Sequence, residues 1–167
     1  MKKIDSVQTP IVKDLTCCCP EFKPKPWDKK EIKWNGKFFV KDTIISLFHI
    51  PLNFGSVMKR NYKKIKAASA ETKNPIVIVD ELSPFHSHVY IGVTKPVAKC
   101  DDVKLTGQFL SRVFEGPYSG MKKYIKEMNE YVKSKGKITK KNYFFYPTCP
   151  KCSKKYKKNY TVILAEY

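Results

Sequence analysis

The chain has 167 residues, of which 42% are hydrophobic and 13% are aromatic. This composition is sufficient for a folded core and excludes a globally disordered chain. No apolar run reaches the roughly 20 residues that a membrane-spanning helix needs, and no apolar segment follows the basic start as it would in a signal peptide. We therefore expect a cytoplasmic protein without a membrane partner.

The charge is strongly basic, but the side chains that carry it are poorly suited to specific recognition. The 33 lysine and arginine residues outnumber 15 aspartate and glutamate residues, which gives a net charge of +18. Arg60 and Arg112 are the only arginines, although arginine is the side chain best suited to bidentate contacts with bases and phosphates. We expect a solvated basic surface and no specific nucleic-acid partner. A module that binds an acidic partner is the alternative, and the oligomeric state stays open.

Residues 1–36 form a proline-containing N-terminal arm. Proline at the density seen here favours extended chain over helix. Tryptophan is rarely left in water, so Trp27 and Trp34 predict that the arm packs on the domain that follows.

Residues 37–99 form the first of two strand–helix–strand–strand repeats. Their strands are rich in β-branched and aromatic residues, and the helix has apolar residues at intervals of three and four. The predicted elements are a strand at 38–50, a helix at 54–68, a strand at 75–79, a turn at 80–87 and a strand at 88–97.

Residues 103–167 form the second repeat and complete a domain of residues 37–167. An amphipathic helix again follows the first strand, and Gly136 is placed to end it as a C-terminal cap. The predicted elements are a strand at 105–114, a helix at 121–132, a strand at 143–146, a turn that contains Cys149 and Cys152, and a strand at 160–166.

The two repeats align with each other at an offset of 66 residues. At this offset, residues 48–52 fall on residues 114–118, and the core positions of the helix and of the next strand follow without a gap. The pattern predicts an α+β fold made by tandem duplication of a βαββ unit. We expect an antiparallel sheet with two helices on one side and a central cleft between the repeats.

The segment Phe-Glu-Gly-Pro-Tyr at 114–118 and its following helix resemble the GyrI-like (gyrase-inhibitor-like) family of small-molecule-binding domains. The resemblance covers residues 37–167 and is strongest to stand-alone bacterial members with a Thr-Cys-Pro-Lys-Cys turn, here at 148–152, some of which are labelled hydrolases. It implies a cleft lined with aromatic side chains between the repeats. Many multidrug-binding members carry an acidic residue in the strand before the last. Phe144, Phe145 and Tyr146 stand there in this chain, which argues against recognition of cationic drugs.

Three residues are candidates for catalysis. Glu115 and His49 occupy equivalent positions at the ends of the two first strands, and at a shared cleft they would form an acid/base pair that activates water. The alternative for Glu115 is a cap on the following helix, where the helix dipole stabilises a carboxylate. Tyr118 either hydrogen-bonds a ligand or packs under the helix.

Five further residues are candidates for ligand binding. Aromatic side chains in strands line a pocket in some proteins and fill the core in others, and the pattern leaves both possibilities open. These candidates are Trp27, Tyr90, Tyr143, Phe145 and Glu166.

The cysteines predict a metal site. Cys149 and Cys152 form a CxxC pair, and Cys18 and Cys19 in the arm would complete the four thiolates that a structural zinc ion binds in a tetrahedron. Such a site would fix the arm to the domain. A redox CxxC pair, a disulfide and free thiols are the alternatives. Cys100 is expected to be an ordinary free thiol.

The leading functional hypothesis is a stand-alone protein that binds a small apolar or aromatic molecule in the cleft between the repeats. A hydrolase is the first alternative, in which Glu115 directs water onto an electrophilic ligand. The basic interaction module is the second alternative. No cofactor other than the structural zinc is expected.

Overall fold

A computed structural model describes residues 19–73 and 75–167 of the chain. These residues divide into two compact units. The central unit is Trp34–Thr106, and the terminal unit combines residues 19–33 with Gly107–Tyr167. Cys18, one of the four predicted metal ligands, lies outside the described residues.

The central unit is an antiparallel sheet with one helix packed on it. The buried residues of helix α1 recur at intervals of three and four, because that face contacts the sheet residues Val40, Ile44, Val89 and Ile91. The strands lie in the order β2-β1-β4-β3. The elements are β1 (Lys30–Leu47, whose first residues belong to the terminal unit), β2 (Ile50–Pro51), α1 (Phe54–Ala67), β3 (Val77–Glu81) and β4 (His86–Gly92).

The terminal unit is also an antiparallel sheet, with its strands in the order β6-β7-β5. Helix α2 buries Met121, Tyr124, Met128 and Val132 against this sheet and ends just before Gly136, whose φ of 68° suits a residue without a side chain. The elements are β5 (Asp101–Glu115, which begins in the central unit), α2 (Met121–Ser134), β6 (Lys141–Phe145), α3 (Pro150–Tyr156) and β7 (Tyr160–Glu166).

Several boundaries differ from the sequence prediction, three of them with a clear cause in the structure. Strand β1 begins at Lys30, within the predicted arm, because alternate burial at Ile32 and Trp34 continues the strand pattern backwards. The predicted turn at 80–87 is shorter, since β3 continues to Glu81 and β4 begins at His86. The predicted turn around the CxxC pair contains the short helix α3, in which proline directly follows Cys149 and so stands at a position where its missing N–H costs nothing.

Residues 19–28 pack on the terminal unit through both of their aromatic side chains. The Phe22 ring lies 5.3 Å from the Tyr160 ring, and the Trp27 ring lies 5.2 Å from the Phe145 ring, measured between centroids. The Ser111 hydroxyl donates a 2.5 Å hydrogen bond to the Trp27 carbonyl oxygen. The segment is therefore held by side-chain packing and by backbone contacts together.

Within the described ranges, none of the helices combines the length and the apolar composition needed to cross a membrane.

Candidate active surface and cysteine cluster

The central unit exposes a group of large hydrophobic side chains near the β1–β2 turn and the β3–β4 loop. Phe48 is 70% exposed, and Ile50 and Leu52 are each 66% exposed. Scattered single hydrophobic residues are normal on a surface, but a concentration of this kind is typical of a binding site. We call it the apolar surface, and it consists of Ile45, Leu47, Phe48, Ile50, Leu52, Phe54, Leu82 and Phe85.

The turn between β1 and β2 holds two residues in an unfavourable backbone conformation. Leu47 pairs with Ile50, so Phe48 and His49 form a two-residue hairpin turn with φ values of 47° and 68°. Left-handed backbone costs roughly 1–2 kcal/mol for each residue that carries a side chain. Asn-Gly would occupy such a turn with little strain. The surrounding structure must therefore hold Phe48 and His49 in place.

The β3–β4 loop provides the contacts that hold this turn. The backbone N–H of His49 donates to the Pro84 carbonyl oxygen at 2.8 Å, and that of Ser46 donates to the Phe85 carbonyl oxygen at 2.8 Å. The rings of Phe48 and Phe85 lie 5.6 Å apart. The turn and the loop thus form one small structure with an apolar exterior.

His49 and Glu81 form an ion pair or hydrogen bond at this structure. The Nδ1 atom of His49 lies 3.1 Å from Oε2 of Glu81, and both side chains are partly exposed. When Nδ1–H donates to the carboxylate, Nε2 carries the lone pair and is able to accept a proton. This contact has the geometry in which a carboxylate orients an imidazole base.

Glu115, the predicted partner of His49, lies in the terminal unit, whereas His49 lies in the central unit. Glu115 is exposed at the end of β5 and stands opposite Tyr160 in the strand register. Burial of the Tyr160 hydroxyl, together with its hydrogen bond to Glu115, raises the pKa of Tyr160. The N-cap residue of α2 is Gly120, and no side chain forms a capping hydrogen bond there, Glu115 included.

Tyr118 is 43% exposed and lies beside Tyr146, with 6.3 Å between the ring centroids. The glycine of the Phe-Glu-Gly-Pro-Tyr segment has a structural role, since a Cβ atom at Gly116 would collide with the Tyr124 hydroxyl. That hydroxyl donates a 3.3 Å hydrogen bond to the Pro117 carbonyl oxygen. Gly116 and Pro117 therefore form the close contact between this segment and Tyr124 of α2.

The four aromatic residues predicted to bind a ligand are all buried, and each packs against another aromatic ring. Trp27 and Phe145 contact each other, Tyr90 contacts Phe39, and Tyr143 contacts Phe109. The fifth candidate, Glu166, is half-buried near the end of β7.

Sequence reasoning missed two residues with polar side chains in the central sheet. Asp80 is buried on β3, and its neighbour across the strand pair is His88 on β4. Asp80 was assigned to the turn at 80–87, so its pairing with His88, which was placed in the strand at 88–97, was not anticipated. Glu81 was missed for the same reason. The available signal was the β-branched run that directly precedes Asp80 and Glu81, since it favours a strand that continues through them.

The terminal unit contains a cluster of three cysteines. The Sγ atoms of Cys19, Cys149 and Cys152 all lie within 4.8 Å of one another. Cys19 and Cys152 are buried, and Cys149 is half-buried. We call these three residues the cysteine cluster.

The sequence matches the model of the family described as bacterial hydrolase over residues 10–167. The chain belongs to this bacterial hydrolase family. It matches no curated protein. The match to the family model covers both units and the cysteine cluster.

Two solved structures from Listeria innocua share the fold of this chain. One is described as an uncharacterized conserved protein, with a TM-score of 0.58 and 12% identity over 83% of this chain and 91% of that one. The other is described as a hydrolase, with a TM-score of 0.59 and 12% identity over 83% of this chain and 90% of that one. Identity at this level shows a common fold and nothing finer.

Proposed function

We propose that the protein hydrolyses a small, largely apolar electrophile at the apolar surface, with His49 as the general base. The observation that carries this proposal is the contact between His49 and Glu81 within a group of exposed hydrophobic side chains. Membership of the bacterial hydrolase family supports the reaction class.

In this proposal a water molecule lies between Nε2 of His49 and the electrophilic carbon of the substrate. As the water oxygen forms its bond to that carbon, Nε2 takes the proton. The Glu81 carboxylate holds the ring through Nδ1 and stabilises the positive charge that forms on it. The imidazolium then returns the proton to the leaving group, so that atoms and charge balance.

The apolar surface supplies substrate binding. Burial of hydrophobic area is worth about 25 cal/mol per Å², so an aromatic substrate that covers several of these side chains gains affinity without any charge of its own. Phe48 and Phe85 offer rings on which an aromatic group can stack. We infer that the substrate is uncharged and apolar or aromatic.

Small-molecule binding without turnover is the alternative that the same surface allows. It accords with the GyrI-like resemblance, and we infer that the duplicated βαββ plan also reflects that relationship. Hydrolysis directed by Glu115 is a second alternative, supported by the hydrogen bond between that carboxylate and Tyr160. The variants below separate these alternatives.

The test is hydrolysis of a panel of 4-nitrophenyl esters and aryl epoxides by purified full-length protein and its variants. We expect His49→Gln to lower kcat/KM by about 10²–10⁴, as for loss of a general base. Glu81→Gln should cost about 10–100-fold, since it removes the group that orients the base. His86→Gln is the matched control, because this exposed histidine begins β4, directly after the β3–β4 loop, and should leave the rate unchanged.

Two other outcomes would each support one of the alternatives. A rate that falls in Glu115→Gln and stays intact in His49→Gln would assign the reaction to Glu115. Binding of panel compounds with no turnover above the buffer rate would overturn the hydrolase proposal in favour of binding alone. Thermal unfolding of every variant shows whether a lost rate reflects chemistry or a damaged fold.

A further inference from the structure

The cysteine cluster joins two parts of the chain that are far apart in sequence. Cys19 begins the described N-terminal segment, whereas Cys149 and Cys152 lie at the start of α3. Their sulfur atoms nevertheless converge to within 4.8 Å of one another. Hydrophobic packing alone does not require three polarisable sulfurs to point at one spot.

Backbone N–H groups of the three cysteines donate hydrogen bonds to the sulfurs of the cluster. The N–H of Cys19 donates to Sγ of Cys152 at 3.2 Å, that of Cys152 donates to Sγ of Cys149 at 3.5 Å, and that of Cys149 donates to Sγ of Cys19 at 3.5 Å. The three bonds form a closed ring, in which each sulfur accepts one N–H. Hydrogen bonds of this kind stabilise the negative charge that a metal-bound thiolate carries.

The charge near the cluster also favours an anionic centre. Lysines occur at five positions in and just after α3, all exposed: Lys151, Lys154, Lys155, Lys157 and Lys158. Three thiolates and one divalent cation carry a net charge of −1, which these lysines offset in part. Tyr156 adds a further connection, since its hydroxyl donates a 2.6 Å hydrogen bond to the Cys19 carbonyl oxygen.

We propose that Cys19, Cys149 and Cys152 bind one thiophilic divalent metal ion of the zinc class, which fastens the N-terminal segment to α3. Zinc–sulfur bonds of about 2.3 Å in a tetrahedron place the sulfurs about 3.8 Å apart, so a separation of at most 4.8 Å needs only a small contraction. Binding releases one proton from each thiol. A fourth ligand, either water or another side chain, completes the tetrahedron.

The three ligands all belong to the terminal unit, whereas the apolar surface belongs to the central unit. A redox pair or a disulfide between two of the cysteines is the main competing use of the same residues. A disulfide would employ two sulfurs and leave the third without a reason to complete the ring of N–H contacts.

The experiment is native mass spectrometry and elemental analysis of full-length protein purified under reducing conditions without chelator. We expect one zinc per chain in the wild type, and the same in Cys100→Ser, which removes the cysteine of the central unit. Cys152→Ser and Cys149→Ser should each lower the bound zinc at least tenfold. A metal-free wild type or full zinc in both cluster variants would overturn the proposal.

A second measurement covers the case in which a cluster variant fails to fold. Wild-type protein is stripped with a chelator and titrated with Co²⁺ alone. Sulfur-to-cobalt charge-transfer bands and the strong visible bands of tetrahedral cobalt should saturate at one equivalent, also in Cys100→Ser. Absence of charge-transfer bands would contradict thiolate ligation, whatever the behaviour of the serine variants.

Discussion

The two units share a strand–helix–strand–strand order but use their irregular segments in opposite ways. In the central unit, the turn after β1 is strained and exposes hydrophobic side chains. In the terminal unit, the segment between β6 and β7 forms α3 and buries Cys152. Each unit packs one long helix on an antiparallel sheet, and the connections between these elements differ.

This comparison suggests a division between reactivity and stability. Strained backbone and exposed apolar area lower stability and are retained where a function requires them. A ring of hydrogen-bonded sulfurs stabilises a segment that has little regular structure of its own. The predictions that follow test this contrast from its largest expected consequence to its smallest.

Removal of the metal should give the largest effect. If the ion is present at a thousand times its dissociation constant, its loss lowers the free energy of unfolding by about 4 kcal/mol. We expect a chelator to lower the unfolding temperature of the wild type and to leave that of Cys152→Ser unchanged. Equal shifts in the two proteins would show that the chelator acts elsewhere.

Asp42→Asn should destabilise the central unit by about 2 kcal/mol, the usual scale for hydrogen bonds to a charged group. The Asp42 carboxylate accepts hydrogen bonds from Arg60 at 2.6 Å and 2.9 Å and from Asn61 at 2.6 Å. Denaturant unfolding at neutral pH measures the difference, and Asp101→Asn, at an exposed residue, is the control.

The difference in stability between the wild type and Asp42→Asn should depend on pH. Burial opposes ionisation of Asp42, but its hydrogen bonds outweigh burial, so the pKa of Asp42 lies below its ordinary value of 3.8. The wild-type advantage should therefore be complete above that value and should disappear as the pH falls through the lower, folded-state pKa. An advantage that increases with acid would contradict this assignment.

Ser111→Ala should destabilise the terminal unit by about 1–2 kcal/mol, because it leaves the Trp27 carbonyl oxygen without its 2.5 Å hydrogen bond from a fully buried hydroxyl. Tryptophan fluorescence during unfolding is the measurement. Ser134→Ala is the control, since that hydroxyl bonds within an exposed helix end. Equal losses in both variants would mean that Ser111 does not hold the segment.

Replacement of Phe48-His49 by Asn-Gly should have the smallest effect on stability. The free energy of unfolding should rise by up to about 1 kcal/mol, because Asn-Gly suits the left-handed turn that Phe48 and His49 now occupy. The same change should abolish hydrolysis. A less stable protein would show that the ring contact between Phe48 and Phe85 matters more than the backbone strain.

Regular periodic segments were the predictable part of this fold. The spacing of apolar residues located α1, α2 and β7 closely, because the pattern and the buried face coincide there. The start of β1 and the helix α3 were missed, because proline and lysine composition favours loops in sequence while tertiary contacts decide the outcome. The sequence predicted that arm cysteines and the CxxC pair share a metal site; Cys19, Cys149 and Cys152 do lie together, and the metal stays a prediction.

The candidate active surface was harder to predict. His49 was identified by its place at the end of a strand, but its contact Glu81 was assigned to a turn. The exposure of Phe48 and Phe85 depends on a hairpin that the sequence, lacking Asn-Gly or a similar pair, does not indicate. The contacts of His49 with Glu81 and of Phe48 with Phe85 join residues that are distant in sequence, so only the tertiary structure reveals them.

The most direct test of the central claim is the hydrolysis rate of His49→Gln, measured on protein whose metal content and unfolding temperature equal those of the wild type. We predict a rate at least about a hundredfold lower, since the variant lacks the general base and keeps the rest of the fold. A wild-type rate in this variant would contradict the assignment of the chemistry to the apolar surface.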